Sequence, residues 1–329
     1  MAELACDVVN LNSVHSFLKP QSTPTSSGST VVSYVHDRGD GPVLWLVHGY
    51  PQTAFIFRHL APLLKDQISL FIPELPGYGI STAVANASGF RAVGGALVEA
   101  FEKLFPQREV ILAGHDRGAR LCHRLAVDNA HPPGGKAPPF RLLGLVLLDI
   151  VPTLTQWQAF ANPKAAATYF HWPFLASPIA PAMIEAFGGD KWVRLGLSRI
   201  SGDNKAASER FQSDRAWEVY ESNFTKRAAI EGSCADYAAA CFDEPASQEE
   251  DQANGRKIEV PTLVMWSFDK LGTMHGGLGP IWRPWIKYGV DFRTAGCGDG
   301  VGHYLPEEAT DQVEKRVKQF LEPLLRSKS

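Results

Sequence analysis

Short unbroken apolar runs alternate with longer stretches in which apolar residues recur every three or four positions. The unbroken runs are Val43-Leu44-Trp45-Leu46-Val47, residues 68–72, Val110-Ile111-Leu112-Ala113 and Leu142-Leu143-Gly144-Leu145-Val146-Leu147-Leu148. Runs this short, apolar on both faces, predict strands of a parallel sheet covered on both sides. Between them, residues 54–64, 90–105 and 117–129 carry helical spacing, and residues 31–36 predict one more strand. Residues 19–30 are rich in Pro, Ser and Thr and read as a loop leading into it. Strand–helix alternation of this kind predicts an α/β fold, with a mostly parallel central sheet and helices on both faces.

The alternation stops at about Pro152 and returns at Thr262-Leu263-Val264-Met265-Trp266. The intervening stretch is helical in pattern and rich in aromatics, which predicts a helical cap inserted between two core strands. The chain then divides into residues 1–151 (first part of the core, with an N-terminal extension), 152–258 (cap) and 259–329 (second part of the core). Within this scheme residues 243–256 are polar and read as a loop returning to the core. A strand at 290–294, a glycine-rich turn at 296–302 and a terminal helix at 306–325 complete the chain.

Composition changes this picture little. A net charge of −3 over 329 residues gives no electrostatic case for nucleic acid or an anionic membrane as a partner. No apolar run reaches the ~18 residues of a spanning helix. Glu3 and Asp7 stand where a signal peptide would have a basic region, and Arg326-Ser327-Lys328-Ser329 is not a retention or peroxisomal address. Five scattered cysteines, an odd number without metal-like spacing, suggest reduced thiols in a cytoplasmic protein. The expected partner is a small-molecule substrate, with no metal and no cofactor; a homodimer is left open.

The chemistry is concentrated where strand 110–113 meets the next helix. Gly114-His115-Asp116-Arg117-Gly118-Ala119-Arg120 places a carboxylate between two glycines at a strand-to-helix turn. This resembles the nucleophile elbow of the α/β-hydrolase fold, where glycines permit a strained turn that exposes the central side chain. With Asp rather than Ser at the centre, attack on a saturated carbon bearing a halide or epoxide oxygen, through an aspartyl ester, is the expected chemistry. In this fold the nucleophile is followed by an acid and then by a histidine late in the chain. His303, in a glycine-rich turn before the last helix, is the candidate base. Asp149, at the end of strand 142–148, and Asp269, after strand 262–266, compete to orient it. His48-Gly49-Tyr50-Pro51 follows strand 43–47, so the amide of Tyr50 and that of Arg117 are candidates for an oxyanion hole. Arg117 and Arg120 lie in the first helical turn, against the macrodipole and without a local acidic partner, whereas Asp128 can pair with Arg124. An anion bound between Arg117 and Arg120, most simply a substrate carboxylate, would reconcile them with that position.

The chain resembles the fluoroacetate (haloacetate) dehalogenase family of the α/β-hydrolases from about Gly41 to Leu321. The resemblance rests on His48-Gly49-Tyr50-Pro51-Gln52-Thr53, Leu75-Pro76-Gly77-Tyr78-Gly79, the elbow, Leu148-Asp149-Ile150-Val151-Pro152-Thr153, Tyr169-Phe170-His171-Trp172, Asp236-Tyr237 and Gly302-His303-Tyr304-Leu305-Pro306-Glu307-Glu308. It implies Asp116 as nucleophile, His303 as base, Asp149 as the acid, and Arg117 and Arg120 on the substrate carboxylate. It also implies that His171, Trp172 and Tyr237 donate hydrogen bonds to the departing halide. The implied reaction converts a small 2-halocarboxylic acid into a 2-hydroxy acid and halide. Asp269 departs from the family pattern and resembles the epoxide hydrolases, which would use the same Asp and His on an epoxide. A larger carboxylated metabolite is a further alternative.

Overall fold

The strands of the computed structural model are β1 (Lys19–Pro24), β2 (Thr30–His36), β3 (Val43–Val47), β4 (Ser69–Pro73), β5 (Val110–His115), β6 (Leu142–Leu148), β7 (Thr262–Ser267) and β8 (Phe292–Cys297). They form one sheet in the order β1-β2-β4-β3-β5-β6-β7-β8. From β4 to β8 every neighbouring pair is parallel, and β1 and β2 add an antiparallel edge. The structure describes residues 10–136 and 138–326; Glu3, Cys6, Asp7 and the last three residues lie outside that range. The other four cysteines are free thiols.

The chain lays β4 on one side of β3 and then crosses to place β5 on the other. The strand order therefore reverses between β3 and β5. Loops leaving the carboxyl ends of these two strands diverge there and open a crevice, the usual site position in open α/β sheets. Helix α1 (Phe90–Leu104) precedes β5, and helix α2 (Arg117–Ala130) follows it directly. Helix α2 comes down tightly on the end of β3: a Cβ at Gly118 would stand 2.2 Å from the Val47 carbonyl oxygen and 2.3 Å from that of His48. Backbone cannot yield as a flexible side chain does. Gly118→Ala is therefore expected to lose about 1–3 kcal/mol in chemical denaturation. Gly95→Ala, exposed in α1 with nothing near its would-be Cβ, should instead gain about 0.5–1 kcal/mol. Equal losses at the two positions would contradict the close-approach account.

Between β6 and β7 the chain builds helices and no strand. Helices α3 (His171–Leu175), α4 (Gly189–Ile200) and α5 (Arg227–Phe242) supply the residues that reach the crevice. This helical part is seated on the core by buried polar contacts. Arg117 pairs with Asp236 of α5 at 2.7 Å. Arg58 joins Glu307 and the backbone carbonyls of Arg210 and Phe211. The His303 amide donates to the Ile200 carbonyl at 3.0 Å.

Three local expectations are corrected. Residues 19–24 form the edge strand β1 rather than a loop. At an edge, with most side chains exposed, Pro20 and Pro24 forfeit little ladder bonding, and the apolar signal of a strand is absent. Residues 243–256 contain a helix, Glu244–Ala253, whose inward residues are polar. Gln248 accepts from the Leu154 amide at 2.8 Å and Asp251 pairs with Arg124 at 2.5 Å. A helix that buries polar groups shows no apolar stripe. The expected helix over 54–64 is two short pieces, Ala54–Phe57 and Ala61–Leu64.

Candidate active site

Asp116 sits at the apex of the β5–α2 turn with φ 50° and ψ −119°. Such a conformation is costly for a non-glycine residue and persists only where its surroundings impose it. Here the flanking glycines do so: a Cβ at Gly114 would fall 2.5 Å from the Ala119 amide nitrogen. The consequence is that the carboxylate projects into the crevice. Its Oδ1 accepts from the Tyr50 amide at 2.9 Å, and its Oδ2 lies 3.7 Å from His303 Nε2. The latter distance is a contact between charges rather than a formed hydrogen bond.

His303 is held from both sides. Its Nδ1 is 2.6 Å from Asp149 Oδ2, and Asp149 Oδ1 accepts from the Ser267 amide at 2.7 Å and the Ser267 hydroxyl at 3.0 Å. Glu308 secures the turn by accepting from the amides of Gly302 at 2.8 Å and Tyr304 at 3.0 Å. Asp269 lines the same crevice, but it accepts from the Gly300 amide at 3.1 Å and makes no hydrogen bond or ion pair with His303. Of the two aspartates weighed from sequence, it is Asp149 that the fold brings to the imidazole.

Burial alone would make Asp116 harder to ionise, but the facing His303, with His115 and Arg120 beyond it, holds the carboxyl well below its ordinary range. Burial likewise opposes a charged His303. Asp116 and Asp149 on its two sides prevail and raise it to about 10. Near neutral pH the resting site is thus an imidazolium between two carboxylates. It could take up a further proton only once one of those negative charges is removed and the ring has given up its own.

The two arginines of the elbow part company. The Arg117 side chain is fully buried, and its Nε and one terminal nitrogen bind the two Asp236 oxygens at 2.7 and 2.8 Å. Arg117 has no local partner, as its spacing predicts, but a distant one on the cap, more than a hundred residues away in sequence, of which local spacing gave no sign. Only one terminal nitrogen of Arg117 is left without a partner. Arg120 is 4% exposed and makes no ion pair with any carboxylate among the described residues. It donates to the Val151 carbonyl at 2.7 Å and lies 4.4 Å over the Trp172 ring, while its Nε is buried and unpartnered. Burial, with Arg117 nearby, lowers its pKa to about 10, still charged at neutral pH. Arg124 pairs with Asp128 at 2.9 Å as its spacing predicts.

The crevice has two lobes that meet at Asp116, His171, Arg199, Ile200 and His303. One is largely apolar, with Tyr50, Trp192, Leu195 and Tyr237 in its wall. The other is wider and polar, lined by Arg120, Tyr169, Trp172, Lys164 and Lys270, with about 1150 Å³ of empty space including its open mouth. His171 faces both lobes, Tyr237 the first and Trp172 the second. Trp172 and Tyr237 are buried, their rings edge-to-face at 5.6 Å. Burial and the charge of Arg199 lower the pKa of His171 to about 3, so it is a neutral donor or acceptor.

Arg199, Trp192 and Ser267 escaped the sequence reading. Trp192 and Arg199 are seven residues apart on α4, hence on one helical face, and Trp192 donates to the Tyr50 hydroxyl at 2.5 Å. A Trp-x-x-x-Gly-x-x-Arg stripe was the available signal, but it is indistinguishable from an ordinary half-exposed face. Among the described residues no group of three or more His, Cys, Asp or Glu could hold a metal ion, and no helix is long and apolar enough to cross a membrane.

Residues 42–278 match the family model described as the α/β hydrolase fold. The chain is similar to a fluoroacetate dehalogenase from Burkholderia sp., with 30% identity over 86% of this chain and 88% of that protein. It is also similar to a soluble epoxide hydrolase from Corynebacterium sp. (strain C12), at 24% identity over 87% of this chain and 92% of that one. Among solved structures, the epoxide hydrolase CorEH without ligand superposes with a TM-score of 0.77 over 93% of this chain and 99% of that one. At 22% identity that likeness speaks for the fold alone.

Proposed function

Because the chain belongs to the fluoroacetate dehalogenase family of α/β-hydrolases, we propose that it hydrolyses the carbon–halide bond of a small 2-halocarboxylic acid through an ester on Asp116. The observation that carries this reading is the pairing, across one crevice, of an elbow carboxylate backed by His303 and Asp149 with a buried arginine, Arg120, that has no carboxylate partner among the described residues. The first supplies a nucleophile for saturated carbon; the second selects an anionic substrate.

In the first step Arg120 holds the substrate carboxylate and Asp116 Oδ2 attacks the α-carbon in line. The new carbon–oxygen bond forms as the carbon–halogen bond breaks, and the halide departs with the bonding pair toward donors from His171, Trp172 and Tyr237. In the second step His303 takes a proton from water and the hydroxide adds to the Asp116 carboxyl carbon. The oxygen that becomes negative is Oδ1, already facing the Tyr50 amide, with the Arg117 amide as the second expected donor. Collapse breaks the bond from the carboxyl carbon to Oδ2. The departing alkoxide takes the proton that His303 holds and leaves as the 2-hydroxy acid, and Asp116, now with one oxygen from water, gives its remaining proton back to His303. The two steps share one histidine in two charge states. Alkylating Asp116 cancels one of the two charges that kept His303 protonated, and its pKa then falls toward the ordinary histidine range, where it can accept a proton.

Single turnover in heavy-oxygen water, with excess enzyme, tests the route. Label is expected in the Asp116 carboxylate and not in the first equivalent of product. Label found directly in that product would mean that water attacks the substrate, and the ester would be abandoned. A second reading, epoxide opening by the same Asp and His, draws on Tyr50 and Tyr237, whose rings lie edge-to-face at 5.2 Å in the apolar lobe. Halide release from fluoroacetate and chloroacetate, against diol formation from a neutral epoxide, decides between them.

A further inference from the structure

Resting on the halide-displacement reading, we propose that Arg199 is a positioning residue: it fixes His171 as the tautomer with its proton on Nε2 and so presents an N–H donor to the departing halide. The Arg199 guanidinium lies 3.0 Å from His171 Nδ1. A guanidinium carries donors and no acceptor, so this contact is a hydrogen bond only if Nδ1 accepts. A neutral imidazole that accepts at Nδ1 carries its proton on Nε2. The acidic form is suppressed as well, because burial and the adjacent Arg199 both disfavour a second positive charge on the ring.

Arg199 is itself held firmly enough to impose this choice. Its other terminal nitrogen donates to the Thr168 carbonyl, and the guanidinium stands 5.2 Å over the Phe170 ring. It makes no ion pair with a carboxylate among the described residues, so its charge is not neutralised locally. It enters the crevice from α4, in the wall where both lobes meet and where Asp116 and His171 also stand. Donation into Nδ1 withdraws electron density from the ring and makes the Nε2 proton a stronger donor. Fluoride, with the densest charge of the halides, gains most from such a donor.

The test uses the full chain carrying ¹⁵N-histidine, as wild type, Arg199→Met and Arg199→Lys. In the unliganded wild type, His171 should show a protonated Nε2 and an unprotonated, hydrogen-bonded Nδ1. Arg199→Met should yield a mixture of tautomers, and Arg199→Lys, which keeps one donor, should restore most of the original state. In steady-state assays Arg199→Met should lower kcat for fluoroacetate by about tenfold more than for bromoacetate, the scale of one lost charge-assisted donor, with KM little changed. Arg199→Lys should recover part of that loss. An unaltered tautomer in Arg199→Met overturns the proposal. A shifted tautomer with equal losses for fluoride and bromide overturns it too, because the donor then has no part in halide departure. If the wild type turns over no haloacid, the halide-displacement reading fails, while the NMR comparison still decides whether Arg199 sets the tautomer.

Discussion

His303→Ala is expected to release one equivalent of halide per active site and then stop, with turnover about 10⁴-fold below wild type. The reason lies in the division of labour at the elbow. Asp116 attacks as a carboxylate and needs no base; His303 is the foremost of the groups that hold its carboxyl down, and in the variant Arg120 and the Tyr50 amide at 2.9 Å remain to favour the ionised form. Hydrolysis of the ester, by contrast, requires a proton acceptor, and His303 is the imidazole in reach of Asp116 Oδ2 at 3.7 Å. The protein should therefore carry an added mass equal to the substrate acid group, visible in the intact chain and localised to the peptide containing Asp116. Asp149→Asn should slow the same step, because the amide cannot accept as the carboxylate does from Nδ1 at 2.6 Å. Asp269→Asn should leave it nearly unchanged, because the Asp269 carboxylate accepts from the Gly300 amide and not from the imidazole. The wild type offers a matching pH signature. His303 is protonated up to about 10 in the resting site, yet only its neutral form can act on the ester. Lowering the pH through the ordinary histidine range should thus leave the halide burst intact and depress the steady rate that follows. Loss of the burst together with the steady rate in His303→Ala would place His303 in the first step and refute this division.

What could be read from the sequence follows from how far each signal travels along the chain. The parallel strands were legible because burial on both faces makes β3, β5 and β7 apolar at nearly every position. The elbow was legible because its geometry is local: Gly114, Asp116 and Gly118 lie within five residues. His303 was placed by the chain order that the fold imposes; that order left Asp149 and Asp269 both open, and the family resemblance favoured Asp149. The failures share a different cause. Asp236 neutralises Arg117 from 119 residues away, and no spacing rule reaches that distance. The helix Glu244–Ala253 hid because its inward face binds Arg124 and the Leu154 amide instead of an apolar core. Arg199 hid because a cation on a cap helix reads as solvated surface until the crevice beneath it is known. Signals that are local or set by chain order thus pointed to Asp116 and His303, and not to the distant groups that surround them.

Arg120→Gln is expected to cost about 3–4 kcal/mol of transition-state stabilisation toward a 2-haloacid, a fall in kcat/KM of roughly 10²–10³-fold. A buried charge without a partner is expensive, and the fold sustains Arg120 with a carbonyl at 2.7 Å, the Trp172 face at 4.4 Å and no carboxylate ion pair among the described residues. A substrate carboxylate would supply the missing counter-charge and orient the α-carbon toward Asp116; glutamine offers one neutral donor in its place. Arg117→Gln should behave differently. It strands Asp236, 8% exposed, without its guanidinium, and so loosens the contact between α5 and the elbow. Its main effect should be a lower melting temperature, with any loss of activity tracking the unfolded fraction. The discriminating measurement pairs each variant with a haloacetate and with the corresponding neutral haloacetamide. Arg120→Gln should narrow the preference for the acid over the amide by the same 10²–10³, whereas Arg117→Gln should leave that ratio near the wild-type value. An Arg120→Gln enzyme that keeps the wild-type preference would show that Arg120 does not hold the carboxylate, and the claim of an anionic substrate would lose its support.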